Sequence, residues 1–572
     1  MIVPYKNLKG AEILFKKLLE FRVSKIFAYS GGAIMPAVDQ LHNSNNEKID
    51  YYINTHEQSA GHAATAYART SGKVGICMMT SGPGVTNMIT PLTDATNDST
   101  PLILFSGNVP LKAIGSNAFQ EVPATDITRP ITKWSYLVKS IFDLPEVVNE
   151  AFKVATNGKM GSVHIDLPKC VLEQKYTQDF LFKRNFYNRF QITKREFAKN
   201  YNCLKILNLL NISKRPVIIA GQGCNNYSGK LFKFAQRGNI PVTTTIHGLG
   251  VFDETHELSL EFLGMHGNAA ANYAIQRADL IIGLGTRFDD RITGNVEKYA
   301  PEAYKAFKEN RGGIVNVNIN REEKRAIVSH FNYHMDCGKF LDGIEPFYRL
   351  RKPWFDEIAK LKRENRFRYK VGKKLKTQQV IECINETLND LSIKDYIVTT
   401  GVGNHQMMAC QFIKWRRPNS LVTSGSLGVM GVGLPFAIGS QLANPNMLVI
   451  DIDGDGSFNH TLSELKTVMN YNLPIKIAIM NDTCLSMVNT WEKLFYDERY
   501  TATDLKKNPN YVKLAKAYGI KAISCSNKLD LNKKVREFLR HEGPILCEFK
   551  VEGDQCLPLI PPNAALDEMI LE

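Results

Sequence analysis

Two short apolar runs joined by one helical stretch set the local topology near the carboxyl-terminal end of the chain. Residues 448–452, LVIDI, read as a strand, and Asp453-Gly454-Asp455-Gly456 follows. Both glycines permit a tight turn. Residues 461–472, TLSELKTVMNYN, place Leu462, Leu465, Val468 and Met469 on one helical face. Pro474 marks the turn into a second strand, 475–480, which runs into Asn481-Asp482. Strand, helix and strand predict a βαβ unit with parallel strands that end on the same sheet edge. Ligands of open parallel sheets lie outside the carboxyl ends of the strands. Asp455 and Asp482 are therefore expected to converge. Two hard oxygen donors, backbone carbonyls and ligand phosphates suit Mg²⁺. The alternative is a plain turn and an exposed loop acid.

The same alternation of short apolar runs and helical patterns fills the chain, which predicts an α/β protein of doubly wound parallel sheets. Two charge-dense segments poor in strand signal, 172–203 and 351–376, read as linkers or long surface helices. They divide the 572 residues into three domains, 1–175, 190–350 and 370–550, followed by a tail, 551–572. ICMMTSGPGVTNMITPL (76–92) and LVTSGSLGVMGVGLPFAIG (421–439) share one order of strand, Thr-Ser-Gly, glycine and helix. This echo suggests two related domains flanking a different middle one.

Composition narrows the class of partner. The formal charge is +14, but Lys and Arg are spread without a block of five or six like charges. A nucleic-acid protein would concentrate them in a stripe, so no nucleic-acid partner is expected. Eleven cysteines are scattered without a CxxC pair or zinc spacing, which suits free thiols in a reducing compartment. No apolar run approaches the roughly 20 residues of a membrane span. The amino-terminal residues pass directly into a helical stripe of Ala11, Ile13, Leu14, Leu18 and Leu19. A cytoplasmic protein is expected, and an organelle-encoded plastid protein would look the same.

Further motifs sit at predicted strand ends. INTHEQSAGHAATAYART (53–70) is a small-residue helix with Glu57 at its start. Thr55 and Gln58 fit a capping box, and an acid suits the first turn; the other reading is a carboxylate tuned for proton transfer. YSGGAIMP (29–36) and TSGPGVTN (80–87) are glycine loops that let a backbone approach a ligand. GQGCNNYSG (221–229) resembles a nucleotide-binding turn but departs from GxGxxG. LGTRFDDRITG (284–294) is either a surface ion-pair cluster or a phosphate or dinucleotide clamp.

Together these segments resemble the thiamine-diphosphate (ThDP) enzymes, most closely the acetohydroxyacid synthase catalytic subunits. SGGAI, HEQSAGHAATAYAR, TSGPGVTN, AFQE (118–121), DLPK (166–169), TTTIHGLG (243–250), LGMHG (263–267), RFDDRITG, GVGNHQM (401–407), TSGSLGVMGVGLP, GDG and SMVNTWEKLFY (486–496) occur in the family's order across nearly the whole chain. The resemblance implies a ThDP pyrimidine-binding domain, a central FAD-type domain, a ThDP pyrophosphate-binding domain and a C-terminal lid. It implies that Glu57 contacts the aminopyrimidine, that Gly32 and Gln120 line the reaction centre, and that Met430 supports the bent cofactor. His405 and Gln406 would lie on the phosphate side. Gly454, Asp455, Gly456, Asp482, Cys484 and Met487 would hold ThDP, with Mg²⁺ on Asp455, Asp482 and the Cys484 carbonyl. Phe119 and Lys169 would line the substrate entrance, and Met487 and Trp491 the acceptor pocket. Lys159, Thr245, Ile246, Gly264, Met265, His266, Gly285, Arg287, Asp289, Arg291 and Asn318 would face FAD.

The chain departs from the family pattern at three of these positions. Asp482 replaces the usual Asn, Asn318 stands where an acid contacts the adenosine part, and Lys159 replaces an Arg. Lys keeps the charge but loses the planar fork, so the hold on FAD is expected to be weaker, or lost. The implied reaction decarboxylates pyruvate and joins the hydroxyethyl unit to pyruvate or 2-ketobutyrate, the first common step of branched-chain amino-acid biosynthesis. A homodimer or homotetramer and a regulatory small subunit are the implied partners. The rival readings are another ThDP decarboxylase or lyase, and a catalytically impaired homologue acting as a binding subunit. Trp491 and RFDDRITG argue against the first, and Glu57 with both carboxylates against the second.

Overall fold

The computed structural model describes residues 5–42, 49–177, 203–321 and 327–572. Strands β1 (Lys25–Tyr29), β2 (Asp50–Ile53), β3 (Gly75–Met79), β4 (Leu102–Asn108), β5 (Trp134–Leu137) and β6 (Ser162–Pro168) form one sheet, ordered β2-β1-β3-β4-β6-β5. A second sheet holds β7 (Pro216–Ala220), β8 (Val242–Thr244), β9 (Ser259–Phe262), β10 (Leu280–Leu284), β11 (Gly313–Val317) and β12 (Phe331–Tyr333), ordered β12-β11-β10-β7-β8-β9. The third contains β13 (Tyr396–Thr400), β14 (Leu421–Val422), β15 (Leu448–Gly454), β16 (Lys476–Asn481), β17 (Lys521–Cys525) and β18 (Ile545–Lys550), ordered β14-β13-β15-β16-β18-β17. Every pairing between these strands is parallel.

Strands covered by helices on both faces must be apolar along their whole length. β3, β4, β6, β7, β10 and β11 are buried at every residue. Counted from its own first strand, the first sheet runs 2-1-3-4-6-5, and the third repeats that order. The weak sequence echo thus corresponds to a shared topology. The middle sheet, counted likewise, runs 3-2-1-4-5-6, the order of dinucleotide-binding sheets, whose crevice opens between strands 1 and 4. Those strands are β7 and β10, which pair directly.

One helix pair joins the first and third sheets. Helix Glu57–Ser71 packs on helix Gly433–Ala443, and Ala60, Ala63, Ala64, Leu434, Phe436 and Ile438 share one core. A Cβ on Gly439 would lie 1.9 Å from the Ala63 carbonyl oxygen, so the two backbones approach closely because neither side presents a bulky group.

Local sequence expectations are corrected in two places. His56, not Thr55, caps helix Glu57–Ser71, its Nδ1 accepting from the Gln58 amide at 3.1 Å. Thr55 instead donates its amide and hydroxyl to Glu464 of the third domain. The stretch 461–472 is not one helix but a 3-10 turn, Leu462–Glu464, followed by helix Leu465–Asn470. Glu464, buried and accepting also from Asn54 and Thr467, pins the break. Of the segment 172–203, residues 178–202 lie outside the described residues. Within 351–376, helix Lys352–Glu364 buries Trp354, Ile358 and Leu361. Trp354 and Ile358 join a core of the middle domain. The tail places Ile560 and Leu566 in the same core, and the Ile560 amide donates to the Met265 carbonyl at 3.0 Å.

Candidate active site

The third sheet gathers its candidate residues at the carboxyl ends of its strands. His405 and Gln406 follow β13, Met430 follows β14, Asp455 follows β15, and Asp482 and Cys484 follow β16. Asp455 is buried and accepts from Asn508 Nδ2 at 2.5 Å. Asp482 accepts from the Cys484 amide at 3.2 Å and from the Ser486 hydroxyl. Burial, and next the charge of Asp482, push the Asp455 carboxyl up to about 7. Burial likewise raises Asp482. Two facing carboxylates that repel in a low-dielectric site are relieved by a divalent cation. Among the described residues no group of three His, Cys, Asp or Glu side chains forms a metal cage. Two carboxylate donors would suit a Mg²⁺ completed by backbone carbonyls and a ligand diphosphate.

The glycines of this edge are set by their neighbours. A Cβ on Gly454 would lie 2.6 Å from His405 Nδ1, and one on Gly456 2.5 Å from Leu485 Cδ2, with the Met430 methyl in ordinary contact at 3.7 Å. His405 Nε2 stands 3.3 Å from Asp453 Oδ1. Gln406 Nε2 donates to Thr423 Oγ1 at 2.7 Å and to the Ser424 carbonyl at 3.1 Å.

The first sheet collects a different set at its matching edge. Gly32 follows β1, Glu57 follows β2, Phe119 and Gln120 lie in the loop after β4, and Lys169 follows β6. Half-buried Glu57 accepts from Asn87 Nδ2 at 3.0 Å. Gln120 has a positive φ of 60°, and a Cβ on Gly82 would lie 2.9 Å from its carbonyl oxygen. Around Gly32 nothing lies within 4 Å of a Cβ position, so that loop is open. Phe119 is 87% exposed, and Lys169 Nζ stands 3.9 Å from Glu173.

A cavity of about 490 Å³ opens beside the switch point of the middle sheet. It is lined by Lys159, Thr245, Ile246, Met265, His266, Gly285, Arg287, Asp289, Arg291 and Asn318. Gln406, Met487 and Trp491 line it as well, so it continues towards the third sheet's edge. Gly264 is not in its wall: its φ is +115°, and a Cβ there would lie 2.5 Å from the Arg291 carbonyl oxygen, so the chain itself requires the glycine. Gly32, Glu57, Phe119, Gln120 and Lys169 also stand outside this cavity. His405, Met430, Gly454, Asp455, Gly456, Asp482 and Cys484 lie outside it too, so the candidates fall into three groups: the cavity wall, the third sheet's acid edge and the first sheet's edge.

Within the cavity, Arg287 Nη2 pairs with Asp289 Oδ2 at 2.8 Å and Arg291 Nη1 contacts Met265 Sδ at 2.9 Å. Asn318 Nδ2 donates to the Thr286 carbonyl at 3.0 Å, and its Oδ1 accepts from the Asn320 amide at 2.9 Å. Burial pushes His266 down to about 4, so it is neutral at pH 7 and turns Nδ1 to the Cys556 and Pro558 carbonyls. Asp289 Oδ1 and Thr286 Oγ1 are buried without partners. Buried polar atoms are nearly always paired, so these two suit a polar ligand. A Cβ on Gly285 would lie 2.5 Å from Gly223 Cα, bringing the loops after β7 and β10 into contact. A dinucleotide such as FAD fits this setting.

The sequence reading missed His247, Gln222 and the loop Ser424–Gly428, which also line the cavity. All three lay inside quoted motifs, GQGCNNYSG, TTTIHGLG and TSGSLGVMGVGLP, but no charge or spacing singled them out.

The chain matches three domain families in order. The N-terminal thiamine-pyrophosphate-binding domain covers residues 8–128, the central domain of thiamine-pyrophosphate enzymes 204–344, and the C-terminal thiamine-pyrophosphate-binding domain 401–549. The mitochondrial acetolactate synthase catalytic subunit of Saccharomyces cerevisiae is 43% identical, over 100% of this chain and 85% of that protein. The chloroplastic acetolactate synthase 1 of Oryza sativa is 37% identical, over 100% and 89%. The probable acetolactate synthase large subunit of Methanocaldococcus jannaschii is 36% identical, over 98% and 95%. With whole-chain identity of this extent and all three domains present, the chain belongs to the acetolactate synthase family of thiamine-pyrophosphate-dependent enzymes.

Proposed function

We propose that the protein decarboxylates pyruvate and joins the resulting two-carbon unit to a second 2-ketoacid, pyruvate or 2-ketobutyrate, as the first common step of branched-chain amino-acid biosynthesis. The carrying observation is the facing pair Asp455 and Asp482 on one sheet edge, with Glu57 on the matching edge of a second sheet of the same topology. When bound, thiamine diphosphate supplies the nucleophilic carbon and the electron sink for decarboxylation.

The remaining work falls to the protein. Asp455, Asp482 and the Cys484 carbonyl hold Mg²⁺, and His405, Gln406, Gly454 and Gly456 border the diphosphate. Met430 supports the thiazolium side. Glu57 holds a proton against the aminopyrimidine. The open loop at Gly32 and the strained Gln120 leave room for the ketoacid. Phe119 and Lys169 flank its entry, and Met487 and Trp491 shape the acceptor pocket. Lys159, Arg287, Asp289 and Arg291 would hold FAD in the middle cavity, with Asn318 offering no acid to its adenosine part. In this reading residues 1–175 take the pyrimidine end, 370–550 the pyrophosphate end and 190–350 the flavin, and 551–572 cover the site.

The two edges carry complementary half-sites, so the working unit is a homodimer or homotetramer, with one copy's Glu57 facing another's Asp455. A regulatory small subunit is a further expected partner. No helix of the described residues is long and apolar enough to cross a membrane. We assign the chain to the cytoplasm or a plastid. Purified protein given pyruvate, ThDP and Mg²⁺ should form acetolactate, detected colorimetrically. Acetaldehyde alone would indicate a decarboxylase, and no product with any 2-ketoacid a binding homologue.

A further inference from the structure

Outside the residues already assigned a role, one buried carboxylate binds all three domains together. Asp98 lies at the end of helix Ile89–Asn97 of the first domain and is 1% exposed. Its Oδ2 accepts from Arg69 Nη2 at 2.8 Å and from the Gly425 amide at 3.1 Å. His247 Nε2, from the middle domain, stands 3.1 Å from the same oxygen. We read that last contact as electrostatic. Burial alone would raise this carboxyl, but His247 and Arg69 outweigh it and hold the group well below the usual range. The Asp98 carbonyl accepts from Gln222 Nε2 of the middle domain at 2.8 Å.

His247, Gln222 and Gly425, all held at Asp98, line one cavity from two domains. His247 and Gln222 line the middle cavity on its dinucleotide side. Gly425 belongs to the loop Ser424–Gly428, which lines the same cavity and leads directly to Met430. That loop is fastened again by its neighbour Asp94, which accepts from Ser424 Oγ at 2.5 Å. Ser424 Oγ in turn accepts from the Gly428 and Val429 amides, each at 3.1 Å. Arg69 Nη1 fixes the loop's start through the Thr423 carbonyl at 2.6 Å. Gly425 has no slack, because a Cβ there would lie 2.3 Å from His247 Nε2. Closely packed, charged contacts transmit displacement rather than absorb it.

We propose that Asp98 is a positioning residue that couples the middle cavity to the Met430 loop, so that a dinucleotide bound in the cavity tightens thiamine diphosphate binding through His247, Asp98 and Gly425. The proposal rests on the cofactor assignments above. Occupancy fixes His247, His247 fixes Asp98 Oδ2, and that oxygen aims the loop beneath the thiazolium. Coupling of this kind is reciprocal.

Isothermal titration of ThDP at saturating Mg²⁺, with and without saturating FAD, tests it in the intact oligomer. FAD affinity is read in parallel from flavin fluorescence, with and without ThDP. For the wild type, FAD should tighten ThDP about tenfold, and ThDP should tighten FAD by the same factor. In Asp98→Asn and in His247→Gln each ligand should still bind alone, with the coupling reduced to within about twofold of none. A merely structural role would weaken both ligands singly and leave the factor intact. His247→Gln keeps the Arg69–Asp98 pair, so it decides the matter if Asp98→Asn melts early. Full coupling in His247→Gln, or a wild type that binds both ligands independently, would overturn the proposal while sparing the cofactor assignment. A wild type that binds no ThDP would overturn both.

Discussion

The first and third sheets share one strand order but not one chemistry. At the edge of the third, Asp455 and Asp482 face each other closely enough that one raises the other's carboxyl. Among the candidate residues at the first sheet's edge Glu57 is the one acid, held by an amide from Asn87, with an open glycine loop and the strained Gln120 nearby. Topology therefore places a ligand at both edges, and the strand-end side chains decide which end of the ligand each receives. An acid pair calls for a cation and a diphosphate, whereas a lone acid suits proton transfer to a neutral ring.

Substitutions that separate these two roles should produce the largest effects. Glu57→Gln should lower kcat about a thousandfold and leave Mg²⁺-dependent ThDP binding and the melting temperature unchanged. Steady-state kinetics with a parallel ThDP titration reads both, and full turnover in the variant would remove the proton role. Asp455→Asn should do the reverse, weakening ThDP about a hundredfold at fixed Mg²⁺. If ThDP binds this variant as tightly as the wild type, the cation is held elsewhere.

A third prediction concerns what lies beneath the first edge. Buried Asp166 accepts from Ser106 at 2.7 Å and Asn108 at 2.6 Å, and burial pushes its carboxyl up to about 6. The folded state then binds this proton more tightly than the unfolded chain, whose carboxyl sits at about 4. Stability from this group is highest below pH 4 and is lost as pH rises to 6, by up to about 3 kcal/mol. Urea unfolding of wild type and Asp166→Asn across that range should show the wild type lose stability relative to the variant as pH rises. A constant difference would mean that Asp166 ionises as it does in the unfolded chain.

The smallest effect belongs to Asp482→Asn. Removing one of two repelling charges beside an anionic diphosphate should leave ThDP affinity unchanged or improve it a few-fold. A large loss would show that both carboxylates are needed to hold the cation.

How much of this was legible in the sequence depended on the range of the interactions. The βαβ edge was readable because Gly454, Gly456 and Pro474 are local signals, and its strands appear at 448–454 and 476–481. The amphipathic first helix, Gly10–Glu20, was readable for the same reason, with Ala11, Ile13, Leu14 and Leu18 buried. The cap of helix Glu57–Ser71 was misread because Thr55 is claimed by Glu464, which lies 409 residues away. That contact also cuts the expected helix at 461–472. Asp98 gave no signal at all: DATND is unremarkable until Arg69, His247 and Gly425 are brought to it from three domains. The repeated topology showed only as a faint motif echo, since strand order depends on which strands pair and not on what each contains.

The central claim, that two like sheets supply the two halves of one thiamine site and that the halves come from different copies, is tested most directly by subunit mixing. Glu57→Gln and Asp455→Asn proteins, each nearly inactive at a ThDP concentration that just saturates the wild type, are dissociated, combined in equal amounts and reassembled, with exchange verified by native mass spectrometry. Half the dimers are then mixed, and each mixed dimer holds one intact site of two, so acetolactate formation should return to about a quarter of the wild-type rate. Verified exchange without recovered activity would mean that Glu57 and Asp455 of a single chain serve the same site, and would contradict the account.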